Sequence, residues 1–252
     1  MPLPVRRTGN PMLNERTFGS VPRAGFGVEG MTLKGTIDKS FLLLIVLMAA
    51  ALWPWSQMAG GDLQAVSSLT MLGAFGGFIV AMIVRFKPTA APYLSIPYAA
   101  LEGLALGGLS AIFEQRYHGI AIQAVGLTFG VLGALLIAYR TRLIKVTDQF
   151  RAMVVAATFG IMLFYVATLL LGFFHVTSLQ ALYAPTPLGI GISLVIVVIA
   201  ALNVVLAFDL IDRGVAGAAP KFMEWYCAFS LMVTLVWLYL EMLRLLALTR
   251  QR

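Results

Sequence analysis

Long apolar runs alternate along the chain with short polar breaks, and the period of that alternation predicts the architecture. A helix needs about 20 mostly apolar residues to cross a hydrocarbon core. By that measure seven candidate spans stand out, at residues 40–58, 65–84, 92–113, 119–139, 152–174, 188–209 and 222–247. The breaks "RFKPTAAP", "RTRLIKVTDQFR" and "DRGVAGAAPK" carry the proline and charge that a buried span excludes. The first run is the shortest and closes on "WPW", aromatic residues of the kind that settle at membrane interfaces. Ahead of it lies a polar lead rich in Gly, Pro and Arg. Residues 1–39 therefore read as a basic, disordered tail, and residues 40–248 as a polytopic helical domain. A lead of that length is too long for the n-region of a cleavable signal peptide.

Composition removes the soluble alternatives. Hydrophobic residues make up 60% of the chain and charged ones 12%, against about 45–50% and 25% in soluble domains. The fold class expected is an all-α membrane protein, a seven-transmembrane helical bundle. A net charge of +7 would fit a nucleic-acid partner in another setting. Here the cations fall in short loops between spans, so no nucleic acid is expected and the partner is the lipid bilayer. One cysteine, Cys227, cannot form an intramolecular disulfide, and two histidines cannot build a metal cluster.

Loop charge orients the bundle. Arg85 and Lys87 follow the second span, Arg140, Arg142, Lys145 and Arg151 separate the fourth from the fifth, and Arg213 and Lys221 follow the sixth. The alternate loops carry little charge, which predicts a cytoplasmic N-terminus. Seven spans would then leave the C-terminus outside. The basic ending "LTRQR" opposes that, so the last segment reads as either re-entrant or miscounted. Gly73 with Gly77, and Gly103 with Gly107, stand at the four-residue spacing that lets membrane helices approach closely.

Few ionisable residues fall within the spans: Glu102, Asp209, Asp212, Glu224, Glu241 and Arg244. A carboxylate at the bilayer centre costs at least about 2.5–3.5 kcal/mol, so it faces a partner or a wet cavity. Glu102 is the clearest case, in the middle of the third span. Asp209 lies one turn deeper than Asp212, which neighbours Arg213 and reads as mainly a boundary residue. Glu241 precedes Arg244 by three, on one helix face, and an intrahelical ion pair is the plain account of both. Burial raises a carboxylate's pKa, and a second acid nearby spreads the two titrations apart. Two such acids would make a proton-sensitive latch, with Arg85 a cation able to hold one of them ionised. They would also form an oxygen-rich path open to a hard cation such as calcium.

The motifs "LAFDLIDRG", "MEWYCAFSLMVTLVWLYLEMLRLL" and "LEGLALGGLS" resemble those of the Bax inhibitor family, and "NPMLNERTFGS" is similar to its bacterial branch. The resemblance implies a seven-span bundle with its last helix central, in a bacterial cytoplasmic membrane. It also implies a pH-sensitive calcium leak governed by two buried aspartates and latched by an arginine of the second helix. Asp209 matches the first acid and Arg85 the latch. The second acid falls on Thr234 in a gapless match, or on Glu241 if "LYLE" is matched to the family's Leu-Tyr-Leu-Asp pattern. Asp209 and Glu241 are thus the candidate calcium ligands, with no resident cofactor.

Other classes remain in view. "GISL" around Ser193 hints at a serine nucleophile, but both histidines precede it in predicted outer loops, so no enzyme is expected. A retinal protein would need a lysine within its last helix, and the nearest, Lys221, stands at its start. A proton-coupled transporter would use midspan Glu102 with the boundary aspartates as a relay. A stress-regulatory protein acting through a membrane partner is the third reading.

Overall fold

The computed structural model describes residues 30–173 and 185–251. They form seven helices, each long and apolar enough to cross a membrane: α1 (Leu33–Ala59), α2 (Leu63–Phe86), α3 (Ala91–Arg116), α4 (Ile120–Arg140), α5 (Asp148–Phe173), α6 (Pro187–Ala216) and α7 (Met223–Arg250). A short 3-10 turn at Pro88–Ala90 joins α2 to α3. Among the described residues the only β-pairing is one isolated antiparallel bridge, Gly30 with Pro220. The expected all-α, seven-span architecture is therefore the observed one.

The first helix starts earlier than the apolar run. Thr32 caps it by accepting a hydrogen bond from the Gly35 N–H (3.0 Å). The polar first turns are usable because a buried acid of α7 sits over them. Glu224 accepts from the Thr32 N–H and hydroxyl (both 2.8 Å) and from Lys39 (2.5 Å). Residues 33–39, read from the sequence as tail, thus belong to the helical domain, while residues 1–29 lie outside the described part.

α7 is the axis of the bundle. It packs against α1, α3, α4 and α6, and buries Tyr226, Phe229, Met232 and Leu238. Tyr98 of α3 meets Phe229 edge-on, ring centroids 4.7 Å apart. α1, α2 and α3 form one close-packed side, and glycine explains the closeness. A Cβ added at Gly103 would collide with the Leu47 carbonyl and lie 2.7 Å from Ala50 Cβ, and one at Gly73 would lie 2.6 Å from the Ala105 nitrogen. The two small-residue pairs seen in the sequence are thus helix contacts. Large apolar side chains such as Phe75, Phe78, Ile122 and Leu169 face outward, more than half exposed. Only a hydrocarbon solvent makes such a surface stable.

The last helix crosses completely. Arg250 donates to the His118 carbonyl (2.6 Å) and to Gln123 (2.8 Å), at the α3–α4 turn. That turn lies at the opposite end of the bundle from the Gly30–Pro220 bridge. The expectation of a re-entrant or miscounted last segment is therefore overturned, and Arg250 serves to close the α3–α4 end. Glu114 closes the same end by accepting from the Gly119 and Ala121 N–H groups, over a Gly119 at φ +79°. Cysteines introduced at Gly61 and at Thr141 should react with an impermeant maleimide from opposite faces of the membrane. Native Cys227, 1% exposed, stays silent. Reaction of both from one face would break the alternation of spans.

Candidate functional site

α5 is the peripheral helix, and polar contacts hold it. Thr147 opens it by accepting from the Phe150 N–H (3.2 Å). Its inward seam then repeats by heptads, with Val154 and Ile161 buried and with Arg151, Thr158 and Tyr165 at seven-residue intervals. Each of the three polar residues meets a partner at a different depth. Polar groups on a helix seam fix register and partner more than they add stability.

Arg151 meets Asp209. One carboxylate oxygen of Asp209 accepts from Arg151 (2.8 Å) and from Arg213 one turn along α6 (2.9 Å). The Asp209 side chain is 16% exposed and that of Arg151 9%, so water screens this pair little. Asp148 also approaches Arg151, at 3.9 Å. Asp209 therefore has a cationic partner, but it is Arg151 of α5, not Arg85. Arg85 stands in the last turn of α2, whose interfaces are with α3 and α1, and among the described residues it pairs with no acid. The signal for Arg151 was present: it opens an apolar span and shares a membrane face with Asp209.

Asp212 is exposed but engaged. It accepts from the Tyr139 hydroxyl (2.8 Å) and ties α6 to α4. The middle contact of α5 runs from the Asn203 amide, which donates to the Thr158 hydroxyl (2.7 Å). The third joins α5 to α7: Tyr165 donates to Glu241, which also accepts from the Trp237 indole (3.3 Å), while Arg244 lies 3.8 Å from the other carboxylate oxygen and 3.2 Å from the Tyr165 hydroxyl. Glu241 is 5% exposed. The expected Glu241–Arg244 pair is present, and Tyr165 is the partner that sequence reasoning missed.

Asp209 and Glu241 do not share a site. At about 1.5 Å per residue, Asp209 lies about 10 Å inside the Ala216 end of α6, and Glu241 about 27 Å beyond the adjoining Met223 end of α7. Each is bonded within its own cluster. Thr234 does not replace Glu241 as a ligand: it is buried and its hydroxyl donates back to the Ser230 carbonyl (3.0 Å). Among the described residues no three His, Cys, Asp or Glu side chains gather to hold a metal ion. The structure thus keeps the two acids in separate clusters and pairs Asp209 with Arg151 and not with Arg85.

Glu102 sits mid-helix in α3, between the α2 and α7 sides of the bundle. A Cβ at Gly77 would lie 2.8 Å from its carboxylate, so the absent side chain of Gly77 makes the room for it. Tyr98, one turn earlier on the same face, presents its hydroxyl to Glu102. The Ser193 hydroxyl makes no hydrogen bond among the described residues.

Comparison with known proteins adds one finding. Neither the curated proteins nor the solved structures contain a match to the chain. The model of one family does match, over residues 10–251, which takes in all seven helices and every residue placed above. This multi-pass membrane protein belongs to the Bax inhibitor 1 like family.

Proposed function

We propose that this protein is a pH-responsive cation leak, with calcium as the ion that membership of the family suggests and Asp209–Arg151 as the latch. The single observation that carries the reading is a largely buried aspartate of α6 bound by an arginine of the peripheral helix α5. Ionised Asp209 binds two guanidinium groups. Charge-assisted bonds of this kind are roughly twice as strong as neutral ones. Protonation removes the charge that Arg151 binds, and α5 then loses its clasp at that end. The ion is not held at a fixed cluster; it passes when α5 parts from α6 and α7. The protein catalyses no covalent chemistry in this reading and needs no resident cofactor. It sits in a bacterial cytoplasmic membrane with its N-terminus inside, where the basic turns at 140–148 and 216–223 would meet the cytoplasm.

A second reading rests on Glu102. A carboxylate at midspan facing a tyrosine hydroxyl is the arrangement a proton relay requires, and it favours a proton-coupled transporter. Flux separates the two. Purified protein in liposomes loaded with a calcium reporter should pass calcium down its gradient without added solute, faster as the pH falls. A pH-independent trace equal to that of empty liposomes would sink the leak reading, and solute uptake driven by a proton gradient would favour the transporter.

A further inference from the structure

On the side away from α2 and α5, the bundle is open. α1 and α4 stand apart there, with α7 as the floor between them. Two cavities of about 360 and 350 Å³ fill the gap and share Leu44, Phe129, Met232 and Leu235, so they form one continuous groove. Along α1 its lining runs from Leu33 to Trp55, about 33 Å at about 1.5 Å per residue. That is close to the thickness of a hydrocarbon core, about 30 Å. The groove is apolar along its length and polar at its ends.

The two ends differ in charge. At the α3–α4 end the ionisable lining residue is Glu114, already bonded to backbone N–H groups. The α4–α5 end is lined by Arg140, by Tyr139 and by Asp212, whose carboxylate accepts from Tyr139. Arg142 and Lys145 follow on the adjoining turn. All three cations are exposed, and among the described residues none has an acid partner. Of the other cations of this end, Arg151 and Arg213 are engaged by Asp209 and Lys39 and Lys221 by Glu224, while Lys34, Arg85 and Lys87 do not line the groove.

We propose that this groove is a binding site for a phospholipid with an anionic head group. One acyl chain lies between α1 and α4 on the α7 floor, and the head-group phosphate is held at Arg140. The apolar bed matches the chain, and the end where Arg140, Arg142 and Lys145 form no ion pair among the described residues, its one lining acid Asp212 being bonded to Tyr139, matches the head group. Anionic lipid is worth roughly a fivefold gain in affinity per basic residue near the surface.

Native mass spectrometry on the whole protein tests this, titrating phosphatidylglycerol or phosphatidylcholine into the detergent-purified sample. The first phosphatidylglycerol should bind more tightly than the first phosphatidylcholine, and Arg140→Gln should narrow that difference by about fivefold. Leu132→Trp, which fills the groove beside Phe129 and Leu136, should weaken retention of both lipids. Leu169→Trp, on the outward face of α5, should leave both unchanged. Arg140→Gln is a rim substitution and is read in folded protein even if Leu132→Trp lowers stability. An undiminished preference in Arg140→Gln would overturn the head-group assignment. Equal lipid retention in Leu132→Trp and Leu169→Trp would overturn the groove, and so would a dimer that Leu132→Trp abolishes, since a second copy would then be the occupant.

Discussion

Gly103→Leu is expected to leave no monodisperse protein in detergent, while Gly130→Leu should purify normally with a melting temperature close to that of the parent. Both glycines lie inside apolar helices, so helix propensity favours either change, by up to about 1 kcal/mol. Surroundings decide the outcome. A Cβ at Gly103 meets the Leu47 carbonyl and Ala50 of α1, whereas one at Gly130 meets nothing within 4 Å. Backbone cannot rotate away as a side chain can, so the first change must push α1 from α3. Overpacking costs typically about 1–3 kcal/mol and more where nothing yields. In a membrane the loss is compounded, because lipid supplies no hydrophobic drive to bring the helices back. Size-exclusion profiles and thermal melts of the two variants measure this directly. A Gly103→Leu protein that melts with Gly130→Leu would mean that the α1–α3 contact is not what holds this side of the bundle.

The glycine contacts were legible because they depend on one residue type at a fixed spacing. The seven spans were legible for a similar reason: backbone groups in hydrocarbon must be satisfied within the helix, and a run of apolar residues has no other outcome there. The start of α1 was not. Lys34, Asp38 and Lys39 look like tail until Glu224, nearly two hundred residues later, is brought over Thr32 and Gly35. Long-range polar pairing leaves no periodic mark.

The site failed to read through for the same reason. Asp209 and Glu241 were found as acids inside apolar runs, but their partners come from α5, whose sequence shows only grease with an occasional polar residue. Seen as a heptad, Arg151, Thr158 and Tyr165 form a stripe. The spacing was visible from the start; that Asp209, Asn203 and Glu241 answer it was not. Arg85 was chosen by its membrane face and by its match to a second-helix arginine, and face says nothing about which side of a seven-helix bundle a residue occupies. The open side between α1 and α4 was equally hidden, since a helix that faces a groove and one that faces bulk lipid need the same apolar residues.

The stripe leads to the largest functional effect expected here. Asp209→Asn should raise the cation leak at high pH to the level the parent reaches at low pH, and should flatten the profile between. Asparagine keeps the shape of the protonated acid and removes the charge that Arg151 and Arg213 bind at 2.8 and 2.9 Å. Arg151→Gln should act in the same direction, since it releases α5 from the other partner. The sign follows from which form closes the path: ionised Asp209 holds the clasp, so falling pH opens it. Asp209→Asn has no proton left to gain there, and in Arg151→Gln protonation of Asp209 has no clasp to α5 left to release. Arg85→Ala should leave the profile alone, because α2 takes no part in the clasp. Asp212→Asn weakens the α4–α6 tie through Tyr139 and should keep the pH response. Calcium flux into reporter-loaded liposomes across a pH series reads all four. A full pH response in Asp209→Asn, or a high-pH leak in Arg85→Ala equal to that of Arg151→Gln, would take the latch away from α5. The Asp209–Arg151 pair would then be a structural bond that orders the fifth helix against the sixth and does nothing more.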